Sequence, residues 1–99
     1  MFVGKHKRTV QRGGWLRFPK EWLPFLDDRR AVVAMPNPNN GKSVMLVPLD
    51  DHNRELERNT ERLAITADGW VQIPASLLAY AGIKDVAELS GVVRAIELK

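Results

Sequence analysis

Gly14-Trp15-Leu16-Arg17-Phe18-Pro19-Lys20-Glu21-Trp22-Leu23 returns fifty-five residues later as Gly69-Trp70-Val71-Gln72-Ile73-Pro74-Ala75-Ser76-Leu77-Leu78. Gly, Trp, Pro and the last Leu are identical, and the positions between them keep their apolar or polar character. A chain of 99 residues with two such units reads as a pseudo-twofold object built from two copies of one motif. One copy of about forty residues cannot cover its own apolar faces, so the two must pack or interleave.

The local pattern around each copy is the same. Arg12-Gly13-Gly14-Trp15 and Thr66-Ala67-Asp68-Gly69 place a Gly-Gly or Asp-Gly pair between extended segments. Such pairs suit the positive φ of a tight two-residue turn, so each copy is expected to open as a β-hairpin. After the turn, Leu16 and Phe18 share one strand face with Trp15 and Arg17 opposite; Val71 and Ile73 likewise oppose Trp70 and Gln72. Pro19 and Pro74 stop the strand and suit the first position of a helix. Ala75-Ser76-Leu77-Leu78-Ala79-Tyr80-Ala81 predicts that helix, stopped by Gly82, whereas Pro24 should shorten or break its counterpart.

Two further extended runs follow each helix. Ala31-Val32-Val33-Ala34-Met35 and Val44-Met45-Leu46-Val47 flank a Pro/Asn/Gly loop, and Val86-Ala87-Glu88-Leu89 and Val92-Val93-Arg94-Ala95-Ile96 flank Ser90-Gly91. Each half thus reads β-β-α-β-β: residues 1–50, then 63–99, joined over 51–62 by a short exposed helix carrying Glu55, Glu57, Arg58 and Glu61. The expected class is α+β, mainly β, in one compact domain. Strands of both halves should mix in a small barrel-like core closed by the two short helices.

Composition sets the function classes. With 44% hydrophobic and 27% charged residues, the chain is expected to be soluble and globular. No apolar run has membrane-spanning length, and Met1-Phe2-Val3-Gly4 passes directly into Lys5-His6-Lys7-Arg8 with no leader pattern. The absence of cysteine removes disulfides and thiolate chemistry and is compatible with a reducing cytoplasm. The net charge of +3 is unevenly spread: residues 1–20 carry Lys5, Lys7, Arg8, Arg12, Arg17 and Lys20 and no acid. Residues 51–99 hold six bases and eight acids. A basic arm on a near-neutral body points to an anionic partner, nucleic acid being the usual one; a solvated basic strand is the plainer alternative.

Met1-Phe2-x-Gly4, followed in each repeat by x-x-Gly-x-apolar-x-apolar-Pro, resembles the MraZ family of division and cell-wall cluster regulators, within the AbrB-like swapped-hairpin superfamily. Met45-Leu46-Val47-Pro48-Leu49 fills the place of that family's strand and Tyr-Pro-Leu-like step. Tyr80-Ala81-Gly82-Ile83 matches its Ala-Gly-apolar turn, and Leu89 to Glu97 its closing hairpin. The resemblance spans nearly the whole chain. It implies an AbrB-like double-psi, swapped-hairpin barrel, a symmetric homo-oligomer, and transcriptional regulation by direct DNA binding in a cytoplasmic, nucleoid-associated setting. The family's turn, however, reads Asp-x-x-Gly-Arg, its Arg being the expected DNA contact. Here Gln11 and Thr66 stand in the Asp places, and Trp15 and Trp70 in the Arg places.

Two expectations follow from these residues. Lys5, Lys7, Arg8, Arg12 and Arg17 are the candidate DNA-binding set, although alternation puts Arg8 on the other side of the strand from Lys5 and Lys7. Phosphate contacts position a protein but do not choose a sequence, so Arg12 or Arg17 would have to reach base edges. Trp15 and Trp70 are candidates for oligomer or packing contacts, with stacking on bases as the alternative. The same fold without DNA recognition would be an assembly or protein-interaction module. Catalysis is not expected: His6 and His52 lack partner spacing, so neither a metal site nor a Ser-His-Asp group is indicated, and no cofactor is called for. Gly41-Lys42-Ser43 echoes a phosphate-binding loop, but Pro36 stands where that motif needs Gly.

Overall fold

A computed structural model describes residues 2–26, 30–37, 41–48, 61–92 and 94–99. The doubling persists in three dimensions. β1 (Lys5–Thr9), β2 (Trp15–Arg17), a 3-10 helix (Lys20–Phe25), β3 (Ala31–Pro36) and β4 (Val44–Pro48) form the first half. β5 (Glu61–Ala64), β6 (Trp70–Gln72), α1 (Ala75–Ala81), β7 (Val86–Gly91) and β8 (Ile96–Leu98) repeat that order. The described residues are therefore mainly β with two short helices. Glu61 and Arg62, expected at the end of the linking helix, begin β5 instead; the rest of that expected helix lies outside the described residues.

The strands exchange partners between the halves. Six antiparallel strands run in the order β1-β7-β8-β4-β3-β5, and β2 pairs only with β6 in a two-stranded ribbon. β1 lies on β7 with Lys5 opposite Ser90 and Thr9 opposite Val86, while β5 lies on β3 with Leu63 opposite Val32. β4 and β8 meet at the centre, Leu46 opposite Ile96. The hairpins expected within each copy survive only at their turns, where Gln11 N donates to Trp15 O at 2.7 Å and Thr66 N to Trp70 O at 2.9 Å. The cause is the need to cover apolar faces: Leu16 and Val71 face each other directly across the ribbon, and both are fully buried. Two matched hydrogen bonds reinforce the exchange, Phe18 N to Gly69 O and Ile73 N to Gly14 O, each 2.9 Å.

The turns have three loop residues, 12–14 and 67–69, and not the two expected. Gly14 N donates to Gln11 O at 3.0 Å and Gly69 N to Thr66 O at 2.9 Å, and the closing glycines take φ of +88° and +89°. A positive φ at the last loop residue is the bulged form of a hairpin turn, which glycine adopts without penalty. Pro19 and Pro74 precede their helices as N-caps, with ψ of 137° and 141°, one position before the expected one. Pro24 lies inside the first helix, which adopts 3-10 geometry: proline lacks the N–H that an α-helical ladder needs, and Leu26 N closes the last turn on Leu23 O. Gly82, at φ +70°, ends α1 in the left-handed conformation.

Ser90 and Gly91 are strand residues, not the expected loop; the β7–β8 turn is closed further on by Val92 N to Ala95 O. Gly91 is held there by a distant segment, its N–H donating to Gly4 O at 2.8 Å. The backbone of Phe2 and Val3 crosses so close that a Cβ on Gly91 would lie 2.5 Å from it. Trp22 completes this corner by donating Nε1–H to Val3 O at 3.1 Å and packing edge-on against Phe2 and Phe18.

Candidate nucleic-acid interface

β1 is one edge of the large sheet, and its residues alternate between exposed and half-buried. Lys5, Lys7 and Thr9 point to solvent. His6 and Arg8 point the other way, where the His6 ring meets the edge of Trp22 at 5.0 Å and its Nε2 lies 3.3 Å from the Glu21 carboxylate. Arg8 donates Nη1–H to Lys7 O at 3.0 Å. Of the five candidate cations, Lys5 and Lys7 share one face and Arg8 stands apart from them. Charges on an edge strand also discourage pairing with another chain.

Arg12 and Arg17 belong to the ribbon. Because Leu16 and Val71 turn inward, the outer face of β2 and β6 carries Trp15 directly opposite Gln72 and Arg17 directly opposite Trp70. Directly opposed side chains on a sheet have Cβ atoms about 4.5–5.5 Å apart, so these four form one patch. Arg17 donates Nε–H to Asp68 O at 3.0 Å, and its guanidinium carbon lies 5.9 Å from the centre of the Trp70 ring. Gln72 makes the matching bond from the other half, Nε2–H to Gly13 O at 2.9 Å. Each copy thus holds the other's turn by a long polar side chain in the same motif position.

Gln72 is absent from the sequence-derived set. Its signal was the motif alignment, which places Gln72 where the first copy has Arg17: two long side chains with terminal N–H donors. The two indoles, equivalent in sequence, differ in space. Trp70 is half-buried beneath Arg17, whereas Trp15 is 37% exposed and passes beside Gly13, which lacks a side chain. Arg12, in the first loop, is exposed.

A second polar cluster lies at the far end of the β3–β4 hairpin. Asn37 Nδ2 donates to Ser43 Oγ at 3.1 Å and to Glu97 Oε2 at 2.9 Å, and Ser43 Oγ–H donates to the same oxygen at 3.1 Å. Lys99 Nζ is 3.4 Å from Glu97 Oε1. Ser43, the end of the phosphate-loop echo, is fully buried and committed to this network, which ties the loop to β8. Among the described residues, no group of three or more His, Asp or Glu is placed to hold a metal ion. Nor is any described helix long and apolar enough to cross a membrane. Asp50, Asp51 and His52 lie outside the described residues.

Comparison with models of known protein families finds no match, and no curated protein matches the chain.

Proposed function

We propose that this chain is a DNA-binding transcriptional regulator with an AbrB-like swapped-hairpin fold, similar to the MraZ regulators, that meets DNA with its first half. The observation that carries this reading is the exposed placement of Lys5, Lys7, Arg12 and Arg17, from a stretch of sequence without acids, on β1 and the ribbon, with Glu88 standing opposite Lys7. Lys5 and Lys7 offer two point charges on the sheet edge. Arg12 offers a third on the loop, and Arg17 presents a guanidinium already oriented by Asp68 O and Trp70. A preoriented guanidinium loses less freedom on meeting a phosphate than a free one does. A symmetric assembly of several copies in the cytoplasm would repeat these contacts along a duplex and add weak ones into useful affinity.

Fluorescence anisotropy with a labelled duplex at several salt concentrations tests this. Four phosphate contacts give a log–log salt slope of about −3.6, and the Arg12→Ala, Arg17→Ala double variant reduces its magnitude by about 1.8. Absent binding at low salt, or binding indifferent to salt, overturns the proposal.

One observation favours the second reading, an assembly or protein-interaction module: the indole of Trp15, 37% exposed, sits where the MraZ regulators that the sequence resembles carry their expected DNA-contacting Arg. Light scattering separates the two. An assembly state unchanged in the Trp15→Ala, Trp70→Ala double variant removes the indoles from subunit contact.

A further inference from the structure

We propose that the ribbon face of Trp15, Arg17, Trp70 and Gln72 is a stacking platform for unpaired DNA, on which one base lies flat against Trp15. The inference rests on the DNA-binding reading above and names the form of DNA that this patch takes.

The three tryptophans have distinct situations. Trp22 is 1% exposed and held in the core corner, and Trp70 lies under the Arg17 guanidinium. Trp15 is the most exposed of the three, at 37%, and its neighbour on that face is the polar Gln72. An indole in this setting is a ready plane for a flat partner, and every nucleobase has such a face. The close passage beside Gly13, whose Cβ position would lie 3.5 Å from Trp15 Cδ1, settles the ring along the loop backbone. Stacking then costs little side-chain freedom.

Polar side chains share the ribbon face with that plane. Gln72 gives an N–H to Gly13 O and keeps Oε1 as an acceptor, on the same strand face as the indole. Arg17, two residues further along the same exposed face, has its Nε–H on Asp68 O. Charge decides the path of the backbone. The first loop carries Arg12, with Lys5 and Lys7 on the adjoining strand, while the second loop carries Asp68. A phosphate chain therefore tracks over the first loop.

Within a duplex, base faces are covered by their neighbours, so a surface indole reaches one only where the strand is unpaired. A ribbon with an exposed ring at its end, beside the first loop, is thus matched to a single strand more than to a closed helix.

The test compares a labelled oligothymidylate of twelve residues with a duplex of equal length, by anisotropy at low and moderate salt, while following intrinsic tryptophan emission. Expected are tighter binding of the single strand and quenched emission. Trp15→Ala should weaken single-strand binding by roughly 5- to 150-fold, and Trp15→Phe by less. Replacing Asp68 by Asn should strengthen it. Duplex binding that equals or exceeds single-strand binding, with Trp15→Ala inert, overturns this inference and leaves the DNA-binding reading standing. Binding of neither probe overturns both. The wild-type quenching decides the matter independently if a variant folds poorly: a single strand that binds without changing the emission refutes stacking.

Discussion

Gly14 and Gly69 hold equivalent positions in the two copies and share one backbone conformation, φ +88° and +89°, yet replacing them by alanine should have different costs. Each substitution forces a Cβ into a conformation that L-residues avoid, at roughly 1–2 kcal/mol. Restriction of the unfolded chain returns about 0.4–1 kcal/mol in both cases. At Gly69 little else is added, because the new methyl would meet two Leu23 methyls at 3.4 and 3.5 Å and Phe18 O at 3.6 Å. At Gly14 it would lie 2.4 Å from Ile73 O. Ordinary carbon–oxygen contact begins near 3.3 Å, so the strands must separate by about 1 Å. That separation strains the packed inner side of the ribbon at about 1–3 kcal/mol and weakens the bond from Ile73 N to Gly14 O, which contributes about 1 kcal/mol. The expected costs are therefore about 1 kcal/mol for Gly69→Ala and about 3–5 kcal/mol for Gly14→Ala. Urea unfolding followed by tryptophan fluorescence measures both, and the urea dependence of about 1–3 kcal/mol/M turns the difference into a midpoint separation of about 1 M or more. Equal midpoints for the two variants would refute the reasoning, since the shared φ would then account for everything.

The corner at Gly91 and the network at Glu97 offer two more tests. Gly91→Ala drives a methyl to 2.5 Å from the backbone of Phe2 and Val3, so it should cost about 1–3 kcal/mol and release the N-terminal segment; faster amide exchange at Gly4 and Val3 checks it, and unchanged exchange counts against the crossing. Glu97→Ala removes the acceptor shared by Asn37 and Ser43, 6% and 0% exposed, and should cost about 1–3 kcal/mol, chiefly for the Ser43 hydroxyl that loses its acceptor in a fully buried position, read from the denaturation midpoint. Glu97→Gln, which keeps an acceptor, should cost less; equal losses would mean that the network contributes through packing alone.

Much of the fold was legible along the chain because single residues carry it. Pro19 and Pro74 mark where strands end, whereas Pro24, expected to shorten or break its helix, lies inside a 3-10 helix that runs on to Phe25. Gly82 marks a stop, and the alternation after each turn names Leu16, Phe18, Val71 and Ile73 as core. Misreadings occurred where a distant segment overrides a local preference. Ser90 and Gly91 are turn residues by type, yet Gly4 and the crossing chain of Phe2 and Val3 hold them in a strand. β1 shows no apolar face at all; its inner side is covered by His6 on Trp22 and by half-buried Arg8, whose polar tips conceal the pattern.

The candidate site was legible in its parts and not in its assembly. Arg17 and Trp70 are fifty-three residues apart, and Gln72 and Gly13 fifty-nine. Each pair exists only because β2 of one copy lies against β6 of the other. Sequence alignment of the two copies aligns Arg17 with Gln72 and Trp15 with Trp70, but contact joins Arg17 to Trp70 and Trp15 to Gln72.

The sequence alone therefore determined that the chain is doubled, where the turns at Gly14 and Gly69 and the helix stop at Gly82 fall, and that its bases gather in the first twenty residues. These are properties of individual residues: the φ freedom of Gly, the missing donor of Pro, the sign of a charge. Only the tertiary structure decided which strands pair, and hence that one indole is capped by an arginine while its twin stays open. Pairing is set by which apolar faces must cover one another across the whole chain, and no local stretch contains that information.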